Sequence, residues 1–202
     1  AIQDYDKAIE LDPKDAEAYN NRGNAYVAKG ELDRAIQDYD KAIELDFNDA
    51  EAYNNRAFAY AAKGELDRAI QDYDKAISLN SGYAEAYTNR GFAYAAKGEP
   101  DRAIQDYDKA IELDPKDAEA HNNRGNAYVA KGELDRAIQD YDKAISLDPK
   151  FALAMVSEGL AYLQKGDNDQ ARRWLSLALE GKERLPDQGK SVEELLKSLG
   201  GP

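Results

Sequence analysis

The chain has no cysteine, so disulfide cross-links and thiolate metal sites are both excluded. Its single histidine, His121, stands where the equivalent positions carry Tyr19 and Tyr53. That reads as a packing or rim residue, since one imidazole without further ligands does not make a transition-metal site. Apolar runs long enough to span a membrane are missing, and no leader pattern opens the sequence. Positive charge is in deficit: 27 Lys and Arg face 40 Asp and Glu, a net −13 over 202 residues. Such a chain repels phosphate backbones and anionic lipid, which argues against nucleic acid and membrane as partners. It favours basic or polar partners through a salt-screened attraction. The missing cysteine and leader lean towards a cytoplasmic protein.

Catalytic constellations are missing as well. The Asp38-x-Asp40 pairs lie inside a helical pattern, without the glycine turn and bidentate glutamate of a calcium loop. The lysine–glycine pairs lack the preceding strand and glycine spacing of a phosphate cradle. The expectation is a non-enzyme with no cofactor and no metal.

What the chain does contain is a period. The string AIQDYDKAI begins at Ala1 and returns at Ala35, Ala69, Ala103 and Ala137, each time 34 residues on. In register, the units are a half repeat at 1–15, full repeats at 16–49, 50–83, 84–117 and 118–151, and a divergent repeat at 152–185. Each full unit reads as two helices. In the first, Tyr19, Gly23, Tyr26 and Val27 share one face at spacings of three and four. Asp15, Asp49 and Asp117 precede such helices as N-caps, and Gly30, Gly64, Gly98, Gly132 and Gly166 follow as left-handed stops. In the second, Ala35, Ile36, Tyr39, Ala42, Ile43 and Leu45 form the apolar side. Pro13, Pro115 and Pro149 close the second helices, while Pro100 sits just before a helix start, where its missing N–H costs nothing. Met155 and Trp174 fall on apolar faces of the last repeat and read as core.

Thirty-four residues, two helices, small residues such as Gly23, Ala35 and Ala42 around Tyr26, and a closing proline together resemble the tetratricopeptide repeat (TPR). The resemblance covers residues 1–181. It implies an all-α fold, a right-handed α-solenoid or superhelix of antiparallel helix pairs. One departure is consistent: Arg22, Arg56, Arg90 and Arg124 occupy a position where the family usually has leucine. A buried arginine needs partners, and each second helix offers an Asp-Tyr-Asp, such as Asp38/Asp40 and Asp72/Asp74. Glu158 ends the arginine series in the unit where Asp-Tyr-Asp becomes Arg173-Trp174-Leu175, as a structural pairing requires. Residues 182–190 read as a polar linker. Within 186–202, Ser191 to Leu199 reads as a capping helix, with Val192, Leu195, Leu196 and Leu199 as its apolar stripe.

In TPR folds the first helix of each unit lines a concave groove. The resemblance therefore implies a peptide-binding face made of Asn20, Asn21, Asn24, Asn54, Asn55, Phe58, Thr88, Asn89, Phe92, Asn122, Asn123 and Asn126, rimmed by Glu17, Glu51, Glu85 and Glu119. Asparagine amides can pair with the peptide groups of an extended strand, or with neighbouring helices and water. Phe58 and Phe92 replace asparagine beside Ala61 and Ala95, a large-beside-small pattern that suits an anchor pocket or simple space filling. In the divergent repeat the face turns apolar, with Leu153, Val156, Leu160 and Leu163. No lysine falls on this face, so the carboxylate clamp of chaperone-binding relatives is not expected.

The half repeat leaves the apolar side of its helix, with Ile2, Tyr5 and Ile9, without the first helix that would normally cover it. It reads as a truncation that could serve as a self-association surface. Two functions follow. One is a non-catalytic scaffold holding an extended or helical peptide segment, polar or basic, in the groove. The other is a self-assembling module joined through terminal helix faces. Partners are accordingly a protein or peptide ligand, or a homo-oligomer.

Overall fold

The computed structural model describes residues 1–200, and among these there are helices and turns but no strand. They fall into two compact units, one of residues 1–99 and one that begins at residue 100. The first holds α1 (Ile2–Leu11), α2 (Ala16–Val27), α3 (Leu32–Leu45), α4 (Ala50–Ala62), α5 (Leu66–Leu79) and α6 (Ala84–Ala96). The second holds α7 (Pro100–Leu113), α8 (Ala118–Ala130), α9 (Leu134–Leu147), α10 (Ala152–Lys165), α11 (Asn168–Ala178), a 3-10 helix (Leu179–Arg184) and α12 (Lys190–Ser198).

Local chemistry sets the helix ends. The carboxylates of Asp15, Asp49 and Asp117 accept hydrogen bonds from the backbone N–H of Ala18, Ala52 and Ala120, satisfying donors that a helix start leaves orphaned. Pro100 is the first residue of α7. Gly166 stops α10 at φ 80°, a left-handed conformation that costs glycine little, and the N–H groups of Gly166 and Asp167 close back onto Leu163 and Tyr162.

In residues 1–99, α2 packs on α3 and α4 on α5; α1, α3 and α5 also pack on the helices that follow them. The core is made of alanines and tyrosines. Ala35, Ala42, Ala52, Ala57, Ala69 and Ala76 are fully buried, and Tyr39 and Tyr73 nearly so. Small residues let the backbones close around each ring. A Cβ on Gly23 would lie 2.5 Å from Tyr39 Cε1, inside contact distance.

In residues 100–200, α8 pairs with α9 and α10 with α11, around Ala103, Tyr107, Ala137, Tyr141 and Leu175. His121 is buried, with Nδ1 3.5 Å from Asp140 and no hydrogen bond on either ring nitrogen among the described residues, so it packs without forming a ligand set. Met155 is likewise core, while Trp174 is half-buried with Arg173 over its ring at 5.3 Å. The segment 182–190 is folded rather than an open linker. The 3-10 helix runs to Arg184, Leu185 is buried, and Asp187 accepts from the N–H groups of Gly189 and Ser191 at the start of α12. The reason is apolar: Leu185 and Val192 join a cluster with Leu175 and Ala152, against which Val156, Leu163, Leu195, Leu196 and Leu199 pack.

Candidate functional site

A ladder of arginine–aspartate pairs fixes the first helices. Arg22 Nε and Nη2 donate to the two oxygens of Asp38 at 2.8 and 2.7 Å, and Nη1 donates to Asp6 at 2.7 Å. Arg56 does the same with Asp72 (2.7 and 2.8 Å) and Asp40 (2.6 Å). Arg124 repeats it with Asp140 (2.8 and 2.7 Å) and Asp108 (2.6 Å). Each guanidinium thus takes the first aspartate of its own repeat and the second aspartate of the repeat before. These bonds, against an opposing desolvation cost, hold Arg22, Arg56 and Arg124 in the charged form. Arg90 also bonds Asp74, at 2.5 Å. The lysines before the glycine stops reach back too: Lys63 to Asp33, Lys97 to Asp67, Lys131 to Asp101 and Lys165 to Asp135.

With the cations committed there, the first-helix face is left polar and acidic. Its asparagines divide into two kinds. Asn20 and Asn54 are buried, and each links two helices. Asn20 donates to Glu51 (3.3 Å) and accepts from Asn55 (3.1 Å); Asn54 donates to Glu85 (3.4 Å) and accepts from Asn89 (3.3 Å). These amides therefore hold the rim carboxylates in place, the helix-bonding alternative left open by the sequence. Thr88, buried as well, bonds back to its own helix at Ala84 O, and Asn122 has a buried Oδ1 that finds no partner among the described residues. Asn21, Asn55, Asn89 and Asn123 are half-buried. The residues open to solvent lie two turns apart: Glu17 and Asn24, Glu51 and Phe58, Glu85 and Phe92, Glu119 and Asn126, then Leu153 and Leu160.

Within residues 1–99 the face contains a cavity of about 310 Å³ between α2 and α4. Asn24, Val27 and Ala28 form one wall, Asn54, Asn55 and Phe58 the other, with Tyr39 and Glu85 completing it. The Tyr39 hydroxyl donates to Asn24 Oδ1 at 2.6 Å, and burial, reinforced by Asp38 and Glu51, pushes its pKa up, so it stays a protonated donor. Tyr141 and Asn126 repeat the bond at 2.7 Å. Phe58 and Phe92 are 48% and 59% exposed, against the usual burial of such rings. The sequence assigned Tyr39 to the apolar core; the clue to its second role is a tyrosine at this position in every repeat before the divergent one, which has Leu175, since a buried hydroxyl must find a partner.

Two further cavities are present. One, of about 290 Å³ in the second unit, is lined by charges of both signs, including Lys150, Glu180, Glu183 and Arg184. The other, about 610 Å³ and open, is bounded by Ala1, Ile2, Gln3 and Asp4 of the first helical segment and by Ala25, Ala28 and Lys29. Ile2, Tyr5 and Ile9 are half-buried, and α1 has no fully buried residue. Among the described residues, no group of three or more His, Cys, Asp or Glu could hold a metal ion, and no helix is long and apolar enough to cross a membrane.

The comparisons with known proteins agree on the family. The TPR repeat profile matches residues 1–30, 23–64, 59–98 and 93–132, and tetratricopeptide repeat profiles match 118–151 and 152–176. None of the curated proteins matches the chain. Among solved structures, it is similar to YrrB, a TPR protein with an unusual peptide-binding site (27% identity, 96% of this chain and 100% of that one, TM-score 0.69). It is also similar to MamA (36% identity, 80% of this chain and 95% of that one, TM-score 0.71). Yeast Tom70 shares the fold over 98% of this chain and 42% of its own length, at 22% identity and a TM-score of 0.80. Such repeats generally serve as interaction scaffolds rather than catalysts, and this chain, matched along most of its length, belongs to the tetratricopeptide repeat family.

Proposed function

We propose that the chain is a non-catalytic scaffold that holds a peptide or protein segment, extended or helical and polar or basic, along the face of its first helices. The observation that carries this reading is the exposure of Phe58 and Phe92 on a face whose charged groups are carboxylates. Exposed rings cost free energy unless a partner covers them. Fixed acidic groups beside them favour a partner of the opposite charge. YrrB, a protein of similar fold, has a peptide-binding site, which supports a peptide as the partner. Asn24 and Asn126, exposed beside tyrosine hydroxyls, and the half-buried Asn21, Asn55, Asn89 and Asn123 are the amides placed to meet a bound backbone. Replacing both rings, Phe58→Ala with Phe92→Ala, is expected to weaken a selected peptide more than ten-fold in fluorescence anisotropy. Unchanged affinity would remove the rings from the site.

The second reading, self-assembly through the first helix, is favoured by the open cavity beside Ile2. Light scattering over a concentration series decides it. A mass that rises with concentration in the wild type but not in Ile2→Asp supports assembly, and a constant monomer mass refutes it.

A further inference from the structure

We propose that the cavity between α2 and α4 is an anchor site for an arginine side chain of the bound segment. This rests on the peptide-scaffold reading and gives that partner its chemistry. The cavity lies wholly within residues 1–99 and is at the small end of ligand pockets, room for one long side chain rather than a cofactor. Its walls run from apolar to charged. Val27, Ala28 and the exposed ring of Phe58 suit an aliphatic stem or a flat cation, and Glu85 is the only formally charged residue among those lining it.

The charge is held in place. Asn54, 1% exposed, donates to one oxygen of Glu85 at 3.4 Å, which orients the carboxylate and leaves its other oxygen for a donor from outside. Tyr39 spends its hydrogen on Asn24, so its oxygen also faces a ligand as an acceptor. A side chain entering here must bring donors and positive charge. An acidic one would be repelled by Glu85, and an aliphatic one would desolvate that carboxylate without replacing its water.

Arginine satisfies this better than lysine. A guanidinium can stack on the Phe58 ring while two of its N–H groups meet acceptors in its plane, which a point-charge ammonium cannot do. The chain already uses that chemistry on its own tyrosines. Arg34 lies 4.2 Å from the Tyr26 ring centre, and Arg68 lies 3.9 Å from that of Tyr60 while also donating to its hydroxyl.

The test is to pan a random dodecapeptide phage library on the whole chain, then synthesise the enriched peptides with each arginine retained or replaced by citrulline, its neutral isostere. The expected result is a shared arginine whose exchange for citrulline weakens binding at least ten-fold. Glu85→Gln should weaken the arginine peptide equally and leave the citrulline peptide unaffected. Glu17→Gln, an exposed carboxylate outside the cavity, should change neither peptide by more than two-fold. Peptides that lose affinity with Phe58→Ala but ignore citrulline and Glu85→Gln overturn the arginine site and leave the scaffold reading standing. No enrichment, or binding untouched by Phe58→Ala with Phe92→Ala, overturns both. Both side chains are exposed, so matching circular dichroism is expected for each variant.

Discussion

Raising the pH from 5 to 9 is expected to destabilise the last helical pair, α10 and α11, and Glu158→Gln is expected to remove most of that dependence. Glu158 occupies the position held by arginine in the four preceding repeats, and it is fully buried with no hydrogen bond to either carboxyl oxygen among the described residues. The groups that act on it are Asp142 of α9 and Arg173 of α11. Burial, with the help of Asp142, pushes the Glu158 carboxyl up to about 8, and Arg173 opposes this only in part. Asp142 is shifted the same way, by burial. The folded chain therefore binds the Glu158 proton more tightly than the unfolded chain does. Its contribution to stability is complete below the ordinary value of 4.5, declines as pH rises, and is gone above about 8. Between those limits the slope approaches about 1.4 kcal/mol per pH unit. Wild type minus Glu158→Gln, by amide hydrogen exchange in α10 and α11, isolates this site from carboxylates elsewhere that lose ion pairs in acid. At pH 5 the two should differ little, and at pH 9 the variant should be the more stable. An equal slope in both proteins would place the dependence elsewhere. Glu158→Leu, which returns the residue usual in the family, should be more stable than wild type by about 1–3 kcal/mol at pH 5, because it removes an unsatisfied buried polar group, and by more as the pH rises.

Glu158 also shows how much of this molecule could be read from its sequence. The loss of arginine and of Asp-Tyr-Asp in one unit identified a structural pairing, because the chain carries several near-identical repeats as internal controls. The pairing scheme was not legible. Asp38 and Asp40 are equally good partners in a linear pattern, and only the stagger of stacked repeats gives Asp38 to Arg22 and Asp40 to Arg56. Helix ends were legible because caps and glycine stops are local chemistry. The binding face was legible to within a turn and no better. Adjacent asparagines point about 100° apart on a helix, so of Asn20 and Asn21 one is buried between helices and the other half-exposed. Glu85 reaches the cavity from α6, the first helix that follows α4 in the next repeat, and Tyr39 reaches it from the core, placements that depend on packing rather than on spacing.

The arginine ladder carries the largest energetic expectation. Arg56→Leu should destabilise the protein by about 3–5 kcal/mol in urea denaturation, although leucine is the family's usual residue there. The cost lies in what remains. Asp72 is only 8% exposed and would keep a desolvated charge after losing a bidentate partner, whereas Asp40, half exposed, would simply take up water. Adding Asp72→Leu should therefore recover most of the loss and bring the double variant to within about 1 kcal/mol of wild type, since an apolar pair often matches a buried ion pair in stability. A single-variant cost below about 1 kcal/mol, or no recovery in the double, would show that the ladder contributes little. All three Arg56 donor nitrogens are spent on Asp72 and Asp40, none on the first-helix face. The double variant should for that reason bind the selected peptides as wild type does, which separates the residues that hold the repeats together from those that face the ligand.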